Sequence, residues 1–482
     1  MVLIVMDTAR VDESYGLLDA KSAAEESEST LATATTYRRA ISSAPWTLPS
    51  HASLFTGTTP SKHGAHAGHK HLSDDLTTIS EILQNQGYET VAVSNNTWIS
   101  GEFGFERGFE TFYKTWQYVQ SNTDLGKIAR QEEGVDKLKK ATEALFNGNP
   151  VTNLTNAIYG QFLRKNEDDG AAQTNKWVHD WLKTRDDTRP FFLFINYIEP
   201  HLEYRPAKQH AKEQLPEGIS FNEAMDVSQD AWRYIAGDVE MSEEDFVILR
   251  ALYRAEIAYL FEKIESLIDM FKTAGKWEDT LFIVTSDHGE NIGEHDLMDH
   301  QYALYETLLN VPLIVHGGPF GGNDIHDLVQ LLDIPPTVLD VLDIDALDAR
   351  KQFQGISFHP DSEATREHAV AEYLAPQPSM AALEKRVGEL PPEVHIYDRT
   401  LRTIRTDRYK YIRGSDGSRE LYEIQLDSDE TNDIADRESK KVVELDEQLD
   451  TWLDSFKHAE NVSDVSMSAS TKSRLEELGY LQ

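Results

Sequence analysis

Short apolar runs punctuate the chain, and most of them stop at an acid, an amide or a histidine. "VLIVMD" (2–7) is apolar up to Asp7, "TVAVSNN" (90–96) runs into Asn95 and Asn96, and "FFLFINYIEPH" (191–201) ends at His201. "TLFIVTSDH" (280–288) and "VPLIVHGG" (311–318) follow the same pattern. Unbroken apolar runs of this length mark strands buried on both faces of a sheet. They predict strands around Val91, over Phe191–Tyr197 and over Leu281–Thr285. Between them the spacing becomes helical. A segment over Ile79–Asn85 is stopped by Gly87, and a long one over 244–275 carries Leu249, Leu252, Leu260 and Ile264 before Gly275. Strands alternating with helices predict an α/β/α sandwich around a large mixed, mostly parallel sheet. In such sheets, sites form where loops leave the carboxyl ends of strands, which is where Asp7, His201, Asp287 and His288 fall.

Two regions break the alternation. Residues 117–170 are polar without a strand pattern and read as a mostly helical insertion. After residue 360, "HAVAEYL", "TLRTIRTDRYKYIRG" and "RELYEIQ" read as short antiparallel strands, followed by a helix through Leu445, Leu449 and Trp452. The expected organisation is a catalytic domain over 1–360 and a small α+β subdomain over 361–482, closed by "TKSRLEELGYLQ" as a docking helix or a tail.

Charge narrows the partners. With 83 acidic against 46 basic residues the formal net charge is −37, which argues against nucleic acid or an anionic membrane met through a broad basic face. A solvated acidic surface suited to high salt is the expectation. No run approaches the roughly 18 apolar residues of a membrane helix. The opening residues lack the charged start, long apolar stretch and cleavage site of a secretory signal, so a cytoplasmic location is expected. The absence of cysteine excludes disulfides, thiolate metal sites and a cysteine nucleophile.

The candidate chemistry lies in three segments. In "VTSDHGENIGEH" the pair Asp287–His288 offers a hard oxygen and an imidazole to a divalent metal, and Asp7 adds a second carboxylate. In "APWTLPSHASLFTGTTPSKHG" (44–64) Thr47 places a hydroxyl on a loop feeding a helix. On its own Thr47 also reads as an N-cap for that helix. The histidines of "KHGAHAGHKH" (62–71) read as surface or cleft residues, and Arg10 with Asp12 as a brace for the first loop.

Apart from 117–170, these segments and their order resemble the sulfatase family of the alkaline-phosphatase superfamily. "VLIVMDTARVDESYG" resembles its first metal-binding strand, "PSHASLFTGTTPSKHG" its signature, and "NYIEPH", "SDHGENIGEH" and "YETLLNVPLIV" follow in the family's order. "LRTIRTDRYKYI" and "ELYEIQLDSDETNDIAD" are similar to its C-terminal subdomain. The resemblance implies a metal-dependent ester hydrolase in which Asp7, Thr47, Asp287 and His288 hold a divalent ion and Thr47 is the nucleophile. His201 then contacts the transferred group or a second metal. His300 and Lys62 stand near cationic positions that bind the oxyanion or protonate the leaving group. One or two ions are implied; the Asp–His pair favours Zn²⁺ or Mn²⁺, with Ca²⁺ and Mg²⁺ still open.

The chain departs from the family at four places. Thr47 stands where the family oxidises a cysteine or serine to formylglycine. His51 replaces an arginine, and "SNNTW" puts Asn95 or Asn96 where the family carries a substrate lysine; His51, Asn95 and Asn96 are then the residues expected to meet the substrate. Thr8 stands where many members have a second metal-binding aspartate. A formylglycine hydrate has a second hydroxyl whose deprotonation expels sulfate, and threonine has none. A phospho-threonine can instead be opened by water at phosphorus. The expected substrate is a small-molecule or glycan-linked ester, with phosphodiesters or phosphonate monoesters preferred over sulfates. A true sulfuric ester hydrolase, a phospho-group transferase and an inactive binding protein remain as alternatives, and the oligomeric state is not readable.

Overall fold

In the computed structural model, which describes residues 1–23, 29–117 and 168–459, each apolar run is a strand of one sheet. Its strands are β1 (Val2–Met6), β2 (Thr35–Ile41), β3 (Glu89–Ser94), β4 (Thr111–Lys114), β5 (Phe191–Tyr197) and β6 (Phe282–Ser286), completed by β9 (Asn310–His316) and β10 (Asp324–Gln330). Between β6 and β9 the short strands β7 (Asn291–Ile292) and β8 (Met298–Asp299) pair, among the described residues, only with each other. The order among the described residues is β10-β2-β9-β6-β1-β5-β3-β4, and only β9 runs antiparallel to its neighbours. The large mixed, mostly parallel sheet read from the alternation is therefore present.

The centre of the sheet explains its apolar strands. Leu3, Ile4 and Val5 are fully buried because helices cover both faces. Burial of such a side chain stabilises the fold by roughly 1.5–3 kcal/mol. Helix Glu243–Thr273 packs on helices Val11–Ala23 and Ala171–Thr184, whereas helix Thr47–Thr56 packs on Ile79–Asn85 and Ile334–Val341. The long helix starts at a capping box, Ser242 with Asp245, that satisfies backbone donors at its first turn.

Strands β11 (His368–Tyr373), β12 (Leu401–Thr406), β13 (Lys410–Gly414) and β14 (Arg419–Tyr422) form a separate antiparallel sheet. Alternation assigns its two faces. Ala369, Ala371 and Tyr373 join the main core, while Val370, Ile404 and Tyr411 pack on Leu445 and Leu449 of helix Ser439–Leu453. Buried Lys410 ties this sheet to the segment before β9 through Glu306 at 3.2 Å, and pairs with Glu430 of the C-terminal part at 2.8 Å.

The sequence reading errs at the edges. Strand β6 is shifted by one residue from Leu281–Thr285, and the long helix spans Glu243–Thr273 rather than 244–275. Strands β2, β4 and β10 were not anticipated; β10, "DIHDLVQ", is exposed along half its length and has no apolar run. The insertion at 117–170 falls almost wholly outside the described residues, and "TKSRLEELGYLQ" wholly outside them. No helix among the described residues is long and apolar enough to cross a membrane.

Candidate metal and nucleophile site

Four neighbouring parallel strands, β6, β1, β5 and β3, set the site. Their register pairs Met6 with both Ser286 and Tyr197, and Ser94 with Asn196, so the residues that follow leave the sheet at one edge. Hydrogen bonds carry the pairing just beyond the strands: Asp287 N donates to Met6 O at 3.2 Å, and Asp7 N to Tyr197 O at 3.1 Å. Asp7 and Asp287 thereby come side by side, fully buried.

Thr47 reaches them from a helix. Trp46 occupies the N-cap in extended conformation, so Thr47 is the first helical residue and its hydroxyl is not the cap. Its Oγ1 lies 3.4 Å from His288 Nε2 and 3.5 Å from Asn96 Nδ2. The helix is pinned in place by Ser50, whose hydroxyl donates to the Asp287 carbonyl at 2.6 Å, with Ser42 donating to the same oxygen at 2.6 Å.

The candidate ligand atoms of Asp7, Asp287 and His288 converge within 4.8 Å of one another. His288 Nδ1 donates to the Gly289 carbonyl at 2.9 Å, which fixes the tautomer and leaves Nε2 as a lone pair. That Nε2 is 3.4 Å from Asp287 Oδ2 and 3.7 Å from Asp7 Oδ1, and both oxygens are buried with no hydrogen-bond partner. The opposite oxygens are satisfied: Asp287 Oδ1 accepts from the Thr8 and His288 amides, and Asp7 Oδ2 accepts from Asn96 Nδ2 at 2.5 Å. Burial, and then the charge of Asp287, pushes the Asp7 carboxyl well above its ordinary range, and burial raises Asp287 to about 7. Two carboxylates left unpaired in a dry site cost several kcal/mol, so this set fits a divalent cation. Held by Asp7, Asp287, His288 and Thr47, such an ion would supply Lewis-acid activation of the hydroxyl.

Gly289 keeps this geometry. A Cβ there would meet the Thr307 carbonyl oxygen at 2.0 Å, so only glycine lets the segment after His288 approach its neighbour. Thr8 holds φ = 61°, a left-handed conformation that strains a β-branched residue, and its Oγ1 is buried without a partner. Arg10 pairs with Asp12 and Glu294 beside the first loop.

Histidines enter from two further loops. The His300 ring lies 4.5 Å from that of His288 and 5.3 Å from that of His201. Although burial opposes it, Asp299 and Glu290 hold the His300 imidazole well above its ordinary range. His201 is nearly buried and hydrogen-bonds through Nδ1 to the Leu202 carbonyl at 2.5 Å.

Three sequence candidates lie elsewhere. His51 is sealed between the rings of Phe105 and Phe194, with Nδ1 donating to the Thr47 carbonyl at 2.9 Å. Burial lowers it to about 4, so it is a neutral brace behind Thr47, sealed from the position expected of a substrate contact. Asn95 accepts from the Thr174 hydroxyl at 2.9 Å and packs on Gly170, away from Thr47. Lys62 donates to the Gln352 carbonyl at 2.5 Å and has no described hydrogen bond or ion pair to Asp7, Thr47, Asp287 or His288. The signature histidines are equally local: His63 bonds Ser53, and His66 bridges to His69. Sequence reasoning missed Glu290 and Asp299; their nearness to "DHG" and to His300 was the only signal.

A family model described as Sulfatase matches residues 1–344. The chain belongs to the sulfatase family. Its relatives include arylsulfatase K of Rattus norvegicus, 24% identical over 442 residues, 86% of this chain and 71% of that protein. Choline-sulfatase of Rhizobium meliloti is 24% identical over 416 residues, 82% of this chain and 74% of that protein. Among solved structures, a phosphonate monoester hydrolase of Agrobacterium radiobacter superposes with a TM-score of 0.66 at 17% identity, covering 95% and 96% of the two chains. A 2-O GAG sulfatase superposes with a TM-score of 0.64 at 17% identity, covering 98% of each. These superpositions establish the alkaline-phosphatase-like fold, and family membership makes the chain an ester hydrolase of a metal-dependent family.

Within this sulfatase fold Asn96 has a checkable role. Its Oδ1 accepts from the Trp98 amide at 2.9 Å, which turns Nδ2 toward Asp7 and Thr47. Asn96→Ala is expected to lower kcat/KM about 10- to 100-fold with little change in melting temperature. Steady-state kinetics beside a thermal melt test it, and unchanged kinetics would remove Asn96 from the site.

Proposed function

We propose that the chain hydrolyses phospho-esters with Thr47 as covalent nucleophile, preferring phosphodiesters or phosphonate monoesters to sulfate esters. The observation that carries this reading is the single hydroxyl of Thr47, set 3.4 Å from His288 Nε2 beside the unpartnered oxygens of Asp7 and Asp287. Thr47 Oγ1 attacks phosphorus as its proton passes to solvent, the bond to the leaving oxygen breaks, and that oxygen takes a proton from an imidazole, His300 or His201. Water then attacks phosphorus and returns a proton to that imidazole, the bond to Oγ1 breaks, and Oγ1 takes a proton from solvent. Sulfo-threonine has no comparable exit, since no second hydroxyl stands on the same carbon to expel sulfate. Apart from His300, the positions where the family carries cations supply none to the site: His51 is neutral, Lys62 is engaged at Gln352, and Asn96 is an amide. That suits a singly charged diester better than a dianion.

A sulfate-ester reading draws support from the names of the relatives, arylsulfatase K and choline-sulfatase. One comparison decides between them. With metal-loaded protein, kcat/KM for bis-p-nitrophenyl phosphate and p-nitrophenyl phenylphosphonate is expected to exceed that for p-nitrophenyl sulfate by at least about 10-fold, or 1.4 kcal/mol. A sulfate rate equal or higher overturns the preference. Hydrolysis of none of the three points to a binding protein, and turnover raised by an added acceptor alcohol points to a transferase.

A further inference from the structure

The ribbon between β6 and β9 serves no role in the cation set, yet it delivers two carboxylates to one nitrogen. In the β7–β8 pair Asn291 faces Asp299, so Glu290, one residue before β7, is brought beside the end of β8. His300 follows at once, and its Nδ1 lies 2.5 Å from Asp299 Oδ1 and 3.3 Å from Glu290 Oε1. All three side chains are buried. Asp299 is itself fixed: Oδ1 accepts from the His300 amide at 2.6 Å, and Oδ2 accepts from Gln301 Nε2 at 2.5 Å. It does this at φ = 74°, a left-handed conformation that strains a non-glycine residue. Such strain persists where the surroundings over-determine it.

We infer that Asp299, backed by Glu290, is a positioning residue that sets the ring of His300 toward the transferred group. This rests on the reading of His300 as a residue acting in the ester chemistry. A carboxylate only accepts, so the hydrogen-bonded Nδ1 carries the proton of that contact and Nε2 lies on the far side of the ring. The grip therefore decides which nitrogen is presented beside His288 and His201. Without it the ring is free to rotate about its side-chain bonds and to exchange tautomers. The same three residues also lie close enough to hold a second cation, their ligand atoms falling within 4.8 Å of one another. The Nδ1 contacts argue for the positioning role, since a metal would have to displace that proton.

The test is a double-mutant cycle read with aryl phosphodiesters of graded leaving-group pKa, with metal content measured on every variant. Asp299→Ala is expected to lower kcat/KM about 10- to 100-fold for poor leaving groups and much less for activated ones. Asp299→Asn, which keeps an acceptor at Oδ1, is expected to recover most of the loss. In a His300→Ala background, Asp299→Ala is expected to add nothing further. An equal loss in that background, or a uniform loss across leaving groups, overturns the positioning role. So does a metal equivalent present in wild type and missing from Asp299→Asn, which assigns the cluster to a second ion. If His300→Ala matches wild type, the reading of His300 fails instead, and the inference falls with it. A thermal melt of Asp299→Asn separates these outcomes from misfolding.

Discussion

Thr47→Ala is expected to reduce kcat/KM toward phosphodiesters by on the order of 10³-fold or more, the usual scale for removal of a covalent nucleophile. Thr47→Ser is expected to stay within about 10-fold of wild type, because the hydroxyl, its position at the start of the helix and its neighbours are all kept. The size of the first effect follows from the geometry. His288 Nε2 and Asn96 Nδ2 both converge on Oγ1, and no other described hydroxyl contacts either of them. Structural collapse is not the expected cause of the loss. The helix keeps its cap at Trp46 and its anchor from Ser50 to Asp287, neither of which involves the Thr47 side chain. Kinetics of the two variants, with an acid quench and mass analysis for a phospho-group on residue 47, distinguish a nucleophile from a bystander. Full activity in Thr47→Ala would end the assignment. A covalent adduct in wild type that is absent from Thr47→Ala would establish it.

How much of this site the sequence carried depends on how local each signal was. Asp7, Asp287 and His288 were legible because each follows an apolar run, and a parallel sheet gathers such endings at one edge. The strands that form the edge away from the site were not. In β2, "TTYRRAI", Arg38 and Arg39 interrupt the apolar pattern, and their role emerges only when they pair with Asp324 and Asp407 across the fold. Asn95 shows a related limit. It sits next to Asn96 in sequence, but a strand end sends neighbouring side chains to opposite sides. Asn95 and Asn96 show it directly: consecutive amides, one braced against Thr174 and the other bonded to Asp7. Glu290 and Asp299 were invisible because nothing in a one-dimensional pattern marks two carboxylates that meet on one imidazole. A ribbon of two-residue strands is too short to show alternation.

Removing the metal is expected to abolish turnover, and restoring it is expected to stabilise the protein more at pH 8 than at pH 5.5. The sign follows from Asp7 and Asp287. In the unfolded chain both carboxyls titrate near their ordinary value of about 4. In the folded, metal-free protein burial holds Asp7 well above that range and raises Asp287 to about 7. Well below pH 4 both groups are protonated in both states and cost nothing. As the pH rises toward 7 the unfolded chain releases these protons while the folded chain keeps them, so the folded state loses the contribution. A divalent ion needs the ionised carboxylates and competes with the same protons. Its binding therefore offsets a penalty that has only partly developed at pH 5.5 and is larger at pH 8. Other buried acids, such as Glu199 and Glu256, are also raised, but they contribute equally with and without metal and drop out of the difference. Melting temperatures of chelated and Zn²⁺- or Mn²⁺-loaded protein at the two pH values give the measurement. A metal-induced shift independent of pH would mean that the ion is held by groups other than Asp7 and Asp287. A shift that disappears in Asp287→Asn, with the pH dependence gone, would identify the pair as the ligands.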